Sequence, residues 1–163
     1  MSLQSRVLNG PFNGLQKKVE FIKRAYFGSL ADPRIRGFVE QNTGKGNRAE
    51  QGARLFLACK RVLNYLPDPV GVEYTKTPSK MMDEIKYRGY AQGDCDDQSC
   101  FVYSCFMTAG IPCKVRVTWY DGSEMPGHIY CVGNIGGQAV PLDTAKIRAA
   151  FGIEAPYDRK EDF

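Results

Sequence analysis

Gly93-Asp94-Cys95-Asp96-Asp97-Gln98-Ser99 runs without a break into Cys100-Phe101-Val102-Tyr103-Ser104-Cys105-Phe106-Met107 and stops at Gly110-Ile111-Pro112. Turn and cap formers open the stretch, its body is mostly apolar, and Gly followed by Pro closes it, which is the pattern of a helix. Asp94 is the expected N-cap, Cys95 then holds the first helical position, and Asp97 lies in the first turn beside the orphan N–H groups. A thiol at that position feels the positive end of the helix dipole, a setting that favours thiolate. A nucleophilic cysteine also needs a base and a group to orient the base. The chain has one histidine, His128, and Asp143 is the aspartate that can be placed beside it. Cys95, His128 and Asp143 are therefore the candidate nucleophile, base and orienter.

Composition sets the frame. At 163 residues the chain suits one domain able to bury roughly two-thirds of its unfolded surface. Its 43% hydrophobic and 25% charged residues are ordinary for a globular protein. The net charge of +4 comes from Lys and Arg that are spread rather than blocked, so nucleic acid is not implied. No apolar run approaches the ~20 residues of a membrane span. Met1 to Phe12 lacks the apolar core of a secretion signal, and six cysteines in such a chain are expected to be reduced, in a cytoplasm. With no Cys-x-x-Cys and a single His, neither a zinc site nor any other metal is expected.

Outward from the quoted stretch, Leu15, Val19, Ile22 and Tyr26 mark one face of an amphipathic helix ended by Gly28, whose Lys and Arg form a solvated face. Asp32-Pro33 restarts a short helix with Ile35, Phe38 and Val39 inward. Asn47 with Glu50 resembles a capping box opening a third helix to about Leu66, with Ala53, Leu55, Leu57, Val62 and Leu63 buried. Pro67-Asp68-Pro69 breaks it. Val72-Glu73-Tyr74 reads as extended, Thr77-Pro78 caps a helix through Ile85, and Tyr87 to Gly93 is a loop. Beyond Pro112 the period changes to two. Cys113, Val115, Val117 and Trp119 alternate with Lys114, Arg116, Thr118 and Tyr120 as a half-buried strand. His128 to Ile135 and Gln138 to Leu142 are strands joined by Gly136-Gly137. Lys146 to Phe151 reads as a helical turn, followed by a charged, frayed tail. Helices first and antiparallel strands last give the class α+β.

The hairpin tests the site. If Gly136-Gly137 is the whole turn, Ile135 pairs with Gln138, Tyr130 faces Asp143, and His128 lies two residues along on the same face. His128 and Asp143 are then a diagonal pair roughly 7–8 Å apart, within side-chain reach. Against the thiol, Asp94, Asp96 and Asp97 bring more negative charge than the helix end offsets. A thiolate–imidazolium pair with His128 is therefore expected, rather than an independently acidic cysteine. Gln92, the nearest upstream side-chain amide, reads first as an ordinary loop residue, with an oxyanion donor beside the Cys95 N–H as the alternative. Cys100, Cys105, Cys113 and Cys131 read as core.

Gly93-x-Cys95-x-Asp97-x-Ser99, Gly110-Ile111-Pro112-x-Lys114, Gly127-His128-Ile129-Tyr130 and Pro141-Leu142-Asp143 occur in that order and resemble the transglutaminase-like superfamily, over about Val72 to Ala145. The resemblance implies a papain-like α+β fold: N-terminal helices, then a nucleophile-bearing central helix packed on a C-terminal antiparallel sheet. It also implies Cys95 as nucleophile, His128 as base and Asp143 as orienter, and it admits Trp119 as a wall of the cleft, where the sequence itself reads core. One departure is Asp143-Thr144-Ala145 where relatives often have Asp-Pro-Thr. Asp68-Pro69-x-Gly71-x-Glu73-Tyr74 and Gly-Asp-Cys-Asp-Asp are similar to small bacteriophage and prophage proteins. Residues 1–163 then form one transglutaminase-like domain, with 1–70 helical, 71–145 the catalytic core and 146–163 a tail. The implied activity is a cysteine-dependent amide hydrolase or acyl transferase (peptidase, amidase or transglutaminase-like), acting on a protein or peptide with no metal or organic cofactor. The alternative is a non-catalytic phage structural or assembly protein, virion-associated, that keeps the fold as an interaction surface; fold alone does not fix the reaction.

Overall fold

Helices α1 (Pro11–Ser29), α2 (Pro33–Thr43) and α3 (Arg48–Val62) lead the chain in the computed structural model, which describes residues 11–146 and 150–163. Each is set by the local rules that the sequence displays. Helix α1 buries Val19, Ile22 and Ala25. The Asp32 carboxylate accepts the Arg34 N–H at 3.0 Å, with Pro33 in the first turn of α2. At α3 the capping box is complete: Asn47 Oδ1 accepts the Glu50 N–H at 2.9 Å, and Glu50 Oε2 accepts the Asn47 N–H at 3.1 Å.

Helix α3 ends at Val62, four residues short of the expected Leu66, and Leu57 faces solvent rather than the core. Proline biases the residue before it towards extended backbone, so the approach to Pro67 leaves the helix early. Leu63–Tyr65 becomes strand β1, which pairs in parallel with β2 (Ala91–Gly93), where a loop was expected. Between them α4 (Pro78–Arg88) starts at Thr77, whose hydroxyl accepts the Lys80 N–H at 3.3 Å.

Strand β2 leads directly into α5 (Cys95–Thr108), in which every residue from Asp96 to Phe106 is buried. That burial on all sides follows from its position: α1, α2 and α3 cover one side, and β4 and β3 cover the other. Among the described residues the larger sheet is four-stranded and antiparallel, ordered β5 (Gln138–Leu142), β4 (His128–Ile135), β3 (Cys113–Trp119), β6 (Arg159–Asp162). The class is α+β. No described helix is long and apolar enough to cross a membrane.

Two expectations for the sheet need correction. Strand β3 is not half-buried, because Arg116 and Thr118 on its second face are as enclosed as Val115 and Val117. The tail is not frayed either. It returns as β6 along β3, with Phe163 and Val115 exchanging backbone hydrogen bonds at 2.9 and 3.1 Å. Arg116 explains both findings. Its guanidinium grips Asp162 through two bonds of 2.6 and 2.7 Å and Glu154 through a third of 2.7 Å, drawing the acidic tail over β3. The expected helical turn from Lys146 to Phe151 falls largely on residues 147–149, outside the described residues.

Candidate active site

The cysteine is presented by the β2–α5 junction. Asp94 caps α5, its Oδ1 accepting the Asp96 N–H at 3.2 Å and the Asp97 N–H at 3.5 Å, while Asp97 Oδ2 accepts the Asp94 N–H at 3.3 Å. This reciprocal box requires close approach at Gly93, where a Cβ would lie 2.4 Å from the Asp97 side chain. Cys95 is thus the first helical residue, as the sequence predicts, and its N–H is among those with no intrahelical partner. Two side chains fix this turn against the sheet. Ser99 Oγ donates to the Ile129 carbonyl at 3.1 Å. Buried Gln98 donates to the Gly93 carbonyl at 3.2 Å and accepts from Thr144 Oγ1 at 2.8 Å, linking the cysteine turn to the residue after Asp143.

The hairpin has the expected register, with Ile135 opposite Gln138 and Cys131 opposite Leu142. That alignment brings His128 and Asp143 together: Nε2 lies 2.8 Å from Asp143 Oδ2, with the residues only 9% and 3% exposed. Asp143 Oδ1 accepts the Ala145 N–H at 3.1 Å, so both carboxylate oxygens are engaged. Nδ1 is the ring nitrogen left unheld by Asp143. Cys95 and His128 wall one cavity of about 500 Å³, together with Asp94, Lys18, Glu73 and Met125.

The weaker site expectations fall elsewhere. Gln92 does not line this cavity; its Oε1 accepts from Arg88 at 3.2 Å, towards α4. Trp119 is 3% exposed, donates its indole N–H to the Glu124 carbonyl at 3.1 Å and carries the Arg159 guanidinium 4.1 Å from its ring. It is a core residue that pins the loop before β4. The sequence places Lys18, by contrast, on a solvated face. Its ammonium sits 2.9 Å from Asp96 Oδ2 and also contacts Glu73, so α1 forms a wall of the cavity. Helical periodicity gives no sign of this, because Lys18 is polar and lies beside, not opposite, the apolar stripe.

The electrostatics of the first turn oppose ionisation. Carboxylate oxygens of Asp94, Asp96 and Asp97 lie within 4.8 Å of one another. Burial, then the hydrogen bond and charge of Asp96, push Asp94 up to about 9. Burial outweighs the Lys76 N–H that favours ionised Asp97, and with the Asp96 charge pushes that carboxyl up to about 7. Burial also acts to raise Asp96, but the hydrogen bond from Asp94 and the Lys18 ammonium together hold it below its ordinary value. The trio thus settles as one firm carboxylate opposite Lys18, with its other oxygens largely committed to backbone N–H groups. Burial, then Asp96 and Asp94, drive the Cys95 thiol up to about 12, against the smaller pull of the Ile129 N–H and Lys18. The thiol makes no hydrogen bond to His128 in this structure. Burial thus costs the anion more than the helix end returns, and the helix end alone leaves the thiol neutral, as the three aspartates lead one to expect.

A pH dependence of stability follows. Asp94 and Asp97 bind protons more tightly folded than unfolded, so their contribution is complete below about pH 4 and is lost as pH rises through about 7 and then about 9. With solvent at the cavity mouth screening part of the shift, the expected loss between pH 5 and 9.5 is about 2 kcal/mol, some 4–8 °C in Tm. Asp94→Asn keeps a good N-cap and should flatten the profile. A thermal melt series on both proteins checks this; a Tm that rises towards pH 9.5, or an unchanged slope in Asp94→Asn, would contradict it.

No family model matches the chain. No curated protein matches it either. Among solved structures it is similar to a protease candidate from Parabacteroides distasonis, with a TM-score of 0.60 and 13% identity over 77% of this chain and 26% of that one. It is also similar to a cysteine protease candidate from Cytophaga hutchinsonii, with a TM-score of 0.50 and 14% identity over 71% of this chain and 38% of that one. A TGase gives a TM-score of 0.41 and 10% identity over 92% of this chain and 36% of that one. The chain thus spans well under half the length of each, and for the first two, at such identities, the likeness is one of fold.

Proposed function

We propose that the protein is a cysteine-dependent amide hydrolase or acyl transferase of the transglutaminase-like kind, using Cys95, His128 and Asp143 on a protein or peptide amide. The observation that carries this reading is the 2.8 Å bond from Asp143 to His128 Nε2, with Cys95 on the wall of the same cavity. Asp143 holds the proton on Nε2 and leaves Nδ1 as the base. Because the thiol is neutral at rest, its proton passes to Nδ1 as the sulfur attacks the carbonyl carbon. The oxyanion forms near the unpartnered Cys95 N–H at the helix end. The resulting imidazolium, stabilised by Asp143, returns its proton to the departing amine, and the thioester passes to water or to a second amine. In the second half the water or amine gives its proton to Nδ1 as it attacks the thioester, and His128 returns that proton to the departing Cys95 sulfur.

The cysteines supply an internal control. Cys59, Cys100, Cys105 and Cys131 are buried, whereas Cys95 and Cys113 are incompletely buried and line separate cavities. Limited iodoacetamide labelling followed by peptide mass spectrometry should modify Cys95 and Cys113 before the other four. His128→Ala should slow Cys95 about tenfold or more while Cys113 keeps its rate. Equal effects at the two thiols, or none, would favour the alternative in which the fold serves as an interaction module in phage assembly.

A further inference from the structure

A second cavity, of about 310 Å³, adjoins the first at Gly127 and His128 and is lined also by Tyr65, Tyr120, Ala145 and Lys146. It touches the histidine but not Cys95. In amide cleavage the imidazole hands its proton to the departing amine, so the amine leaves on the histidine side. A group attached to that amine would extend toward this second cavity, and an incoming amine acceptor would approach from the same side.

The walls there are donors. Lys146 Nζ lies 4.6 Å from the centre of the Tyr120 ring and donates to Tyr120 Oη at 3.1 Å. Among the described residues no carboxylate is paired with this ammonium, so its remaining N–H groups have no anion. Tyr120 Oη is also hydrogen-bonded to Thr118 Oγ1 at 2.9 Å. That contact joins two hydroxyls, and the phenol can turn its proton outward whenever Thr118 is the donor. The Tyr65 phenol stands at the rim. An ammonium and phenol hydroxyls in one cavity whose lining holds no carboxylate have the donor chemistry that an anion requires.

We propose that this cavity binds a carboxylate carried by the residue on the amine side of the scissile amide, with Lys146 and Tyr120 as the recognising groups. This rests on the reading of Cys95 and His128 as nucleophile and base. The carboxylate has two sources, the α-carboxylate of a terminal residue or the side chain of an internal acidic one. Phosphate esters fit less well, because the Asp143 carboxylate, 2.8 Å from the Nε2 of a histidine that lines this cavity, opposes a second full negative charge.

The test uses three alkylating amides, bromoacetyl-glycine, bromoacetyl-glycinamide and the α-amide of bromoacetyl-aspartate. In each, the Cys95 sulfur displaces bromide from the methylene carbon, the thiol proton passes to His128, and the amino-acid part lies on the histidine side. Rates at Cys95 are read by peptide mass spectrometry on the full chain. One or both acids should react about fivefold to tenfold faster than glycinamide. That ratio should fall to near one in Lys146→Met, fall partly in Tyr120→Phe and be largely kept in Lys146→Arg. Preference for bromoacetyl-glycine identifies a terminal residue, and preference for the aspartate reagent an internal acidic one. Equal rates for all three, or a preference that survives Lys146→Met, overturns the carboxylate site while leaving the nucleophile intact. No alkylation of Cys95 by any of the reagents overturns the nucleophile and the subsite with it.

Discussion

Asp143→Asn should leave the fold standing and lower the rate at which Cys95 is acylated by about 10²- to 10⁴-fold, the range in which a wrong imidazole tautomer disables such a base. Two donors converge on Asp143: His128 at Oδ2 and the Ala145 N–H at Oδ1. An asparagine has one oxygen for both. Buried N–H groups are costly to leave unpaired, so the amide oxygen goes to Ala145 and the NH₂ faces Nε2. That turns Nε2 into the acceptor and moves the ring proton to Nδ1, the position that must be empty for a base. Nitrophenolate release from a p-nitrophenyl ester measures acylation, and the ¹⁵N shifts of the imidazole report the tautomer directly. An unchanged rate with the tautomer inverted would remove His128 from the chemistry.

Arg116→Met should destabilise the chain by about 2–4 kcal/mol, the lower part of what breaking a buried ion pair costs, since the acids reach solvent. Its side chain is 5% exposed, whereas Glu154 and Asp162 are 21% and 28% exposed. Methionine fills much of the volume but leaves both carboxylates and the Tyr130 hydroxyl bound to Glu154 without their cation. Strand β6 should then detach, so the amide of Phe163, bonded to the Val115 carbonyl, should exchange with solvent far faster than those of β4. A denaturation midpoint within error of wild type would show that β6 is held by its backbone ladder alone.

The features legible in the sequence are those fixed by neighbours in the chain. Asp94 and Asp97 declare the start of α5 by their spacing, and Gly136-Gly137 sets a register that decides which side of β4 His128 shares with Asp143. Neither needs knowledge of the rest of the molecule. Lys18 reaches Asp96 from α1, and its periodicity says only that it is polar. Leu63–Tyr65 continues a good helical pattern, and only the partner strand Ala91–Gly93 and the proline beyond turn it into β1. Arg116 reads as an outward strand residue until a tail nearly forty residues later arrives to cover it. The thiol is legible only in part: the dipole and the aspartates are visible in the sequence, whereas the depth of burial that dominates its pKa is not.

The Gly136-Gly137 turn has a consequence for the order in which the molecule assembles. His128 and Asp143 are separated by 15 residues, and a single tight turn closes that loop at small entropic cost. Cys95 comes to them through contacts over longer spans, Ser99 to Ile129 across 30 residues and Gln98 to Thr144 across 46. The His128–Asp143 pair is thus expected to form within a local hairpin, and Cys95 to reach it when the helices dock on that hairpin. Local opening is then expected to part Cys95 from a hairpin that keeps His128 and Asp143 paired.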